Sequence, residues 1–164
     1  MTAKIGRTLV RVLATGGGLG YSPLASGTVG TLPGIVLGLL LLPGRPWPVQ
    51  LLIGLLLSLI AVPICGNAER QFGKKDDGRI VADEYLTFPL CLIGLPLAMH
   101  GTWLLPAAFL TCRFCDIVKP WPAGRAQSLP GGPGIVADDV LASLYSLGLN
   151  HLILLLGRQL LGLA

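Results

Sequence analysis

Acidic side chains set against apolar runs are the chemistry-bearing feature of this 164-residue sequence. Asp83 and Glu84 lie in Ile80-Val81-Ala82-Asp83-Glu84-Tyr85-Leu86, Asp116 in Phe114-Cys115-Asp116-Ile117-Val118, and Asp138 and Asp139 in Ile135-Val136-Ala137-Asp138-Asp139-Val140. A carboxylate beside hydrocarbon is costly and persists there for pairing, ion binding or catalysis. Hard divalent cations such as Mg2+ take oxygen ligands, usually one or two carboxylates with water and substrate phosphate. The three acidic places are far apart in sequence, so a fold must converge them. Helix ends on one face can do so. For Asp138 or Asp139 alone, a helix cap is the structural alternative. Asp76 and Asp77, in Lys74-Lys75-Asp76-Asp77-Gly78, read as a solvated turn.

If the ligand carries a phosphate, Lys119, Arg113 or Arg79 would contact it. Lys119 comes first, because it follows Asp116 closely and precedes a stiff Pro120-Trp121-Pro122. Gly16-Gly17-Gly18 and Ser26-Gly27-Thr28-Val29-Gly30 form a small-residue stretch before the first apolar segment. Backbone N–H groups at a helix start there can hold an anion, although turning or packing explains the glycines equally. No Walker A pattern is present. Cys112 and Cys115 have no second pair to complete a zinc site, so the cysteines read as small apolar fillers.

The elements that must position these groups are apolar. Hydrophobic residues make up 52% and charged residues 12%, about half the charged share of a soluble domain. Mean hydropathy is +0.73. The net charge of +4 is thinly spread. It lacks the stripe of basic and aromatic residues that nucleic acid requires, so an anionic membrane surface or substrate fits better. The lysine and arginine near the N-terminus lead into a glycine-rich stretch, not the apolar core of a cleaved signal.

Charges come in clumps. Val12 to Gly44, Pro46 to Ala68, Tyr85 to Cys112 and Val140 to Gly157 hold none apart from histidine. Trp47 to Cys65 is long enough to cross a bilayer as a helix. Val29 to Leu42, interrupted by Pro33, is its shorter partner across a turn at Pro43-Gly44-Arg45-Pro46. Tyr85 to Cys112 is too long for one span, and a kinked or re-entrant hairpin turning near His100-Gly101 is expected. Val140 to Leu156 forms a last apolar helix. Lys4, Arg7 and Arg11 before the first hairpin, and Arg70, Lys74, Lys75 and Arg79 after it, place both on the cytoplasmic side, with Arg45 opposite. All five acids then gather on that side. The expected fold is one all-α domain over residues 1–164, a compact multihelical bundle embedded in the membrane, with polar active-site loops on the cytoplasmic face. A compact soluble bundle would give the same pattern.

Ser22-Pro23 with Gly27-Thr28-Val29-Gly30, Asp83-Glu84, Arg113-Phe114 with Asp116, Lys119-Pro120-Trp121-Pro122, Gly131-Gly132 with Gly134-Ile135, and Asp138-Asp139 follow one another in order. Together they resemble the phosphatidylglycerophosphatase A family from about Leu13 to Ser143. The resemblance implies a bacterial, Mg2+-dependent phosphatase at the inner membrane. Such an enzyme converts phosphatidylglycerophosphate to phosphatidylglycerol and phosphate. It implies acidic site residues, catalytic and metal-holding, at Asp83, Glu84, Asp116, Asp138 and Asp139, and a Gly-Thr element at Gly27 and Thr28. Family members often have His-Gly-Ser where this chain reads Asp77-Gly78-Arg79, and a further Asp-Arg pair where residues 123–130 hold no acid. Attack by water is the leading expectation, with an aspartate nucleophile as its rival. Other phosphomonoesters, and a non-enzymatic ion-binding transporter, are the alternatives.

Overall fold

The computed structural model describes residues 2–161, with the side chains of residues 2, 3, 98–102, 158, 160 and 161 outside the description. Helix α1 (Thr2–Ala14) leads through a 3-10 segment (Gly16–Tyr21) into α2 (Ser26–Leu41) and the long α3 (Trp47–Phe72). The short α4 (Ala82–Thr87) runs into a second 3-10 segment (Phe88–Leu92), followed by α5 (Leu97–Val118), α6 (Ala123–Ala126) and α7 (Gly132–Leu161). Every element is helical among the described residues, as the leucine-rich composition implies.

Helix α2 runs unbroken through Pro33. Its Gly27, Gly30, Gly34 and Gly38 recur one turn apart, so they form one bare stripe. A methyl group at Gly30 would collide with Val81, at Gly34 with Phe88, and at Gly38 with Leu92. Small residues let helix backbones close on each other in this way. The stripe therefore brings α2 onto α4 and the segment after it. Tyr85 adds a tie by donating its hydroxyl to the Leu13 carbonyl at 2.9 Å.

The core has two parts. Val81, Ala82, Tyr85 and Leu86 pack with Ala61, Cys65 and Ala68 of α3 and with Ile135 and Val136 of α7. Phe88, Cys91 and Leu92 pack with Leu104, Ala108 and Cys112 of α5. Helices α5 and α7 are joined by a buried polar group. Thr111 Oγ1 lies 2.8 Å from both Ser146 Oγ and Asn150 Oδ1, and Asn150 Nδ2 donates to the Cys91 carbonyl at 3.3 Å. Satisfied internally, such groups fix the register of apolar helices that would otherwise slide.

The apolar stretch from Tyr85 to Cys112 does double back on itself, but its turn lies earlier than the sequence implied. Residues 97–118 form one helix through His100-Gly101. The reversal occurs at Gly94-Leu95-Pro96, where Gly94 takes a φ of 69° and Pro96 stands just before α5. Glycine supplies the left-handed conformation, and proline disfavours helix at the residue before it. Asp116 is thereby returned to the end of the bundle that holds Asp83 and Glu84.

Helices α3 and α7 are long and apolar enough to cross a membrane by length and composition, and only 28% of each one's most apolar stretch is buried. Leu52, Leu59 and Ile60 of α3 and Leu152 and Leu155 of α7 lie at least half exposed.

Candidate active site

The acids meet at one end of the bundle. Asp83, Glu84, Asp116, Asp138 and Asp139 all line one open cavity of about 320 Å3, with Asp76, Ser26, Lys119 and three isoleucines completing its wall. Three helices deliver these five. Asp83 and Glu84 lie in the first turn of α4, where amide N–H groups favour negative charge. Asp116 is in the last turn of α5, and Asp138 and Asp139 lie well inside α7. The capping alternative for Asp138 and Asp139 therefore does not hold. Helix α7 starts at Gly132 and not near Val140, which puts both aspartates almost two turns along it.

Each charge is held by a specific neighbour. Arg113 Nη1 donates to Glu84 Oε2 at 2.8 Å and lies 2.9 Å from Asp116 Oδ2, bridging α4 and α5. Thr31 Oγ1 donates to the same Glu84 oxygen at 2.9 Å. Gly27 lies one turn before Thr31, and a methyl group there would strike the Glu84 carboxylate and come within 2.8 Å of Arg113 Nη2. Gly27 thus admits Glu84 to its seat; Thr28, half-buried, and Gly27 are not in the cavity wall, where Ser26 stands instead.

Lys119 follows the last residue of α5 in a left-handed conformation with φ 47°, unusual for a side chain of this kind. That cap brings its Nζ to 2.5 Å from Asp138 Oδ2 in the cavity wall. Of the three cations expected near phosphate, Lys119 alone lines the cavity. Arg113 is committed to two carboxylates. Arg79 grips Asp77 through two bonds, at 2.7 and 2.9 Å, and lies over the Phe72 ring.

Of the expected solvated turn, Asp76 is exposed as expected, and Asp77 is the correction. Asp77 is buried, and its Arg79 hydrogen bonds pull its carboxyl down to about 2. Asp76, held at a φ of 47°, lines the cavity and accepts a 2.6 Å bond from Gln127 Nε2. Sequence reasoning missed Asp76, Thr31, Ser26 and Gln127. Thr31 alone left a signal, since it falls one helical turn after Gly27.

Electrostatically the site is crowded with negative charge. Burial pushes Asp83 well above the usual carboxylate range, and Glu84 beside it adds to the rise. Burial also lifts Glu84 to about 7, against the opposing pull of Arg113 and with the help of Asp116. Burial alone would lower the Lys119 ammonium, but Asp138 and the acids beyond it hold it above its ordinary value.

Buried like charges demand protons or a cation. Asp83 Oδ1 and Asp138 Oδ1 are buried without a hydrogen-bond partner. An all-oxygen donor set with two unpartnered carboxylate oxygens fits a hard divalent cation. Among the described residues no trio of His, Cys, Asp or Glu stands ready as a metal cage. Arg113 and Lys119 hold several of the carboxylates instead. The same residues could bind a phosphate through Lys119, orient it, and take a proton from water.

A helical fold with a carboxylate cavity and one inward-facing lysine carries the groups that a phosphate-ester hydrolase calls for. The comparisons with known proteins specify which. The phosphatidylglycerophosphatase A family profile matches residues 12–154. The chain is 36% identical over 138 residues to the phosphatidylglycerophosphatase A of Haemophilus influenzae, covering 84% of this chain and 83% of that one. It is 35% identical over 143 residues to that of Escherichia coli, covering 87% and 81%. A Bacteroides thetaiotaomicron protein provisionally named as a phosphatidylinositol-3-phosphatase is 33% identical over 140 residues, covering 82% and 87%. No solved structure matches. The chain belongs to the phosphatidylglycerophosphatase A family and is a phosphatase, a phosphoric monoester hydrolase.

Proposed function

We propose that the protein removes the terminal phosphate of phosphatidylglycerophosphate, yielding phosphatidylglycerol and inorganic phosphate. The reaction would require Mg2+ and take place at a bacterial cytoplasmic (inner) membrane, with the cavity facing the cytoplasm. The observation that carries this reading is the meeting of Lys119 with the acids of three helices in one open cavity of a member of this family.

Asp83, Glu84, Asp116, Asp138 and Asp139 would hold the cation, in the roles both catalytic and metal-binding expected of them. Bound Mg2+ would supply charge neutralisation at the phosphate oxygens. Lys119 gives one N–H to Asp138 and turns the rest of its ammonium toward the phosphate. Arg113 keeps Glu84 and Asp116 apart from each other's charge. A carboxylate of the cavity takes a proton from water as the water attacks phosphorus from the side opposite the glycerol oxygen. That phosphorus–oxygen bond breaks, and the glycerol oxygen takes a proton back from the cavity acids, which releases the alcohol and phosphate and restores the carboxylate. Attack by an aspartate is the rival route, and a phospho-enzyme trapped by acid quench would establish it.

Membrane residence is supported by α3 and α7, roughly 39 and 45 Å long at 1.5 Å per residue, against a hydrocarbon layer of roughly 30 Å. The cavity lies at the end of α3 that carries Arg70, Lys74 and Lys75, while Arg45 lies at the other. Arg11 of α1 joins the cavity end, donating to Gln71 Oε1 at 3.2 Å. That asymmetry supports a cytoplasmic cavity under the positive-inside rule.

The Bacteroides relative motivates a second reading, in which another lipid phosphomonoester is the substrate. The test is inorganic phosphate release from phosphatidylglycerophosphate, phosphatidic acid, a phosphatidylinositol phosphate and soluble monoesters, with Mg2+ and then with chelator. Preference for phosphatidylglycerophosphate that chelator abolishes is the expected outcome. Equal turnover of soluble esters, or indifference to chelator, would overturn it. Sedimentation with membranes after an alkaline wash tests residence separately.

A further inference from the structure

The last two turns of α5 have opposite characters on their two sides. Arg113 and Asp116 point into the bundle, whereas Leu110, Phe114, Ile117 and Val118 are 66%, 61%, 72% and 55% exposed. Trp121, just past Lys119, is 76% exposed, and its carbonyl is fixed by a 3.0 Å bond from the Tyr145 hydroxyl. This apolar face is continuous with the acid cavity. Three isoleucines line the cavity; Ile80 and Ile135 are only 5% and 3% exposed, so Ile117 alone of them stands at the mouth. One side chain thus belongs both to the wall that receives phosphate and to an uncovered hydrocarbon face.

We propose that Phe114, Ile117, Val118 and Trp121 form a lip that takes the acyl-glycerol portion of a phosphomonoester lipid while its phosphate occupies the cavity beside Lys119. The inference rests on the reading of the substrate as a lipid. Its physical basis is that phosphate and acyl chains need opposite surroundings a few ångströms apart. The end of α5 supplies both, with Lys119 and the acids on one side and exposed hydrocarbon on the other. An exposed apolar face rimmed by polar groups marks an interaction site. Here the rim is the cavity itself, which names the occupant. The lip would also select for lipid over soluble phosphate esters, since only a lipid gains by covering it.

The experiment measures kcat/KM in mixed micelles of fixed detergent for a long-chain phosphatidylglycerophosphate, and in solution for a glycerol phosphate ester without acyl chains. Ile117→Ser and Trp121→Ser should each lower the ratio of lipid to soluble kcat/KM roughly five- to tenfold, mainly through KM for the lipid. Leu40→Ser, at a position 70% exposed on α2 and away from the cavity, should leave that ratio at the wild-type value. Phe114→Ser serves as a further lip variant if either of the first two is poorly folded. An unchanged ratio in the folded lip variants, or an equal fall in Leu40→Ser, would overturn the lip and mark the face as general bilayer contact. If the wild-type protein releases no phosphate from any lipid, the substrate reading fails first and the lip with it.

Discussion

Replacing Arg113 by Met tests whether the acid cavity is held together by charge balance. Arg113 Nη1 contacts Glu84 Oε2 at 2.8 Å and Asp116 Oδ2 at 2.9 Å, and all three side chains are at most 16% exposed. Breaking a buried pair costs about 3–5 kcal/mol, because the remaining charge is left uncompensated. Partial exposure, and the ability of Glu84 to hold a proton near neutral pH, bring the expected loss at pH 8 to about 2–3 kcal/mol. For a chain of this size that is a fall in Tm of roughly 5–10 °C. The assay is thermal unfolding of purified protein in detergent from pH 5 to 8. Glu84 has a folded pKa raised to about 7 from an ordinary 4.5. Its protonation therefore favours folding below pH 4.5, and that contribution is lost as pH rises through 7. Without Arg113 the folded value rises further, so the deficit of Arg113→Met should be large at pH 8 and shrink toward pH 5. Arg113→Met combined with Glu84→Gln should recover at least half of the lost Tm, since the buried charge goes with its partner. An unchanged Tm in Arg113→Met, a deficit that grows on acidification, or no recovery in the double variant would refute the reasoning.

Asp116→Asn and Asp139→Asn should each abolish phosphate release from lipid while folded, detergent-extracted protein is obtained in normal yield; full turnover in both would remove the shared site. Lys119→Met should lower kcat/KM for the lipid about a hundredfold through loss of phosphate orientation, measured by initial rates; a silent change would exclude it from phosphate contact. Gly27→Ala forces a methyl group into the Glu84 carboxylate, so turnover should fall at least tenfold with helix content by circular dichroism retained. Asp77→Asn should weaken the α3–α4 connection, shown by faster proteolysis between Phe72 and Ile80. Because Arg79 holds Asp77 near 2, below its ordinary 3.8, the stabilisation is complete above pH 4 and lost as pH falls through 2.

The chain order of the acids, and their position at the edges of apolar runs, were enough to identify Asp83, Glu84, Asp116, Asp138 and Asp139 as one group. Burying a carboxylate is expensive wherever the chain goes, and that cost is visible in composition and spacing. The all-helical fold follows from the same source, since leucine-rich runs with few β-branched residues have no need of strands. The reversal of the chain between Glu84 and Asp116 was also legible, because the apolar stretch is too long for one straight helix of ordinary spanning length. Its turn was not. Gly94-Leu95-Pro96 and His100-Gly101 are both reasonable breaks, and only the packing of Phe88, Cys91 and Leu92 against α5 selects the first. The start of α7 was misplaced because Gly131-Gly132-Pro133-Gly134 looks like a loop until the backbone approach of Gly132 to Val62 is seen.

Partner choice lay beyond the sequence altogether. The sequence ranks Lys119 ahead of Arg113 and Arg79 near phosphate but gives none of them a partner, and Asp76 and Asp77 read as equivalent acids. Tertiary structure gives Arg79 to Asp77, Arg113 to Glu84 and Asp116, and Lys119 to the cavity wall, and it sets exposed Asp76 at the cavity edge while burying its neighbour. The sequence determines which groups are too costly to bury alone. Which opposite charge meets Glu84 and Asp138 is decided by elements separated in the chain and within 3 Å in space, Arg113 of α5 reaching Glu84 and Lys119 reaching Asp138 of α7.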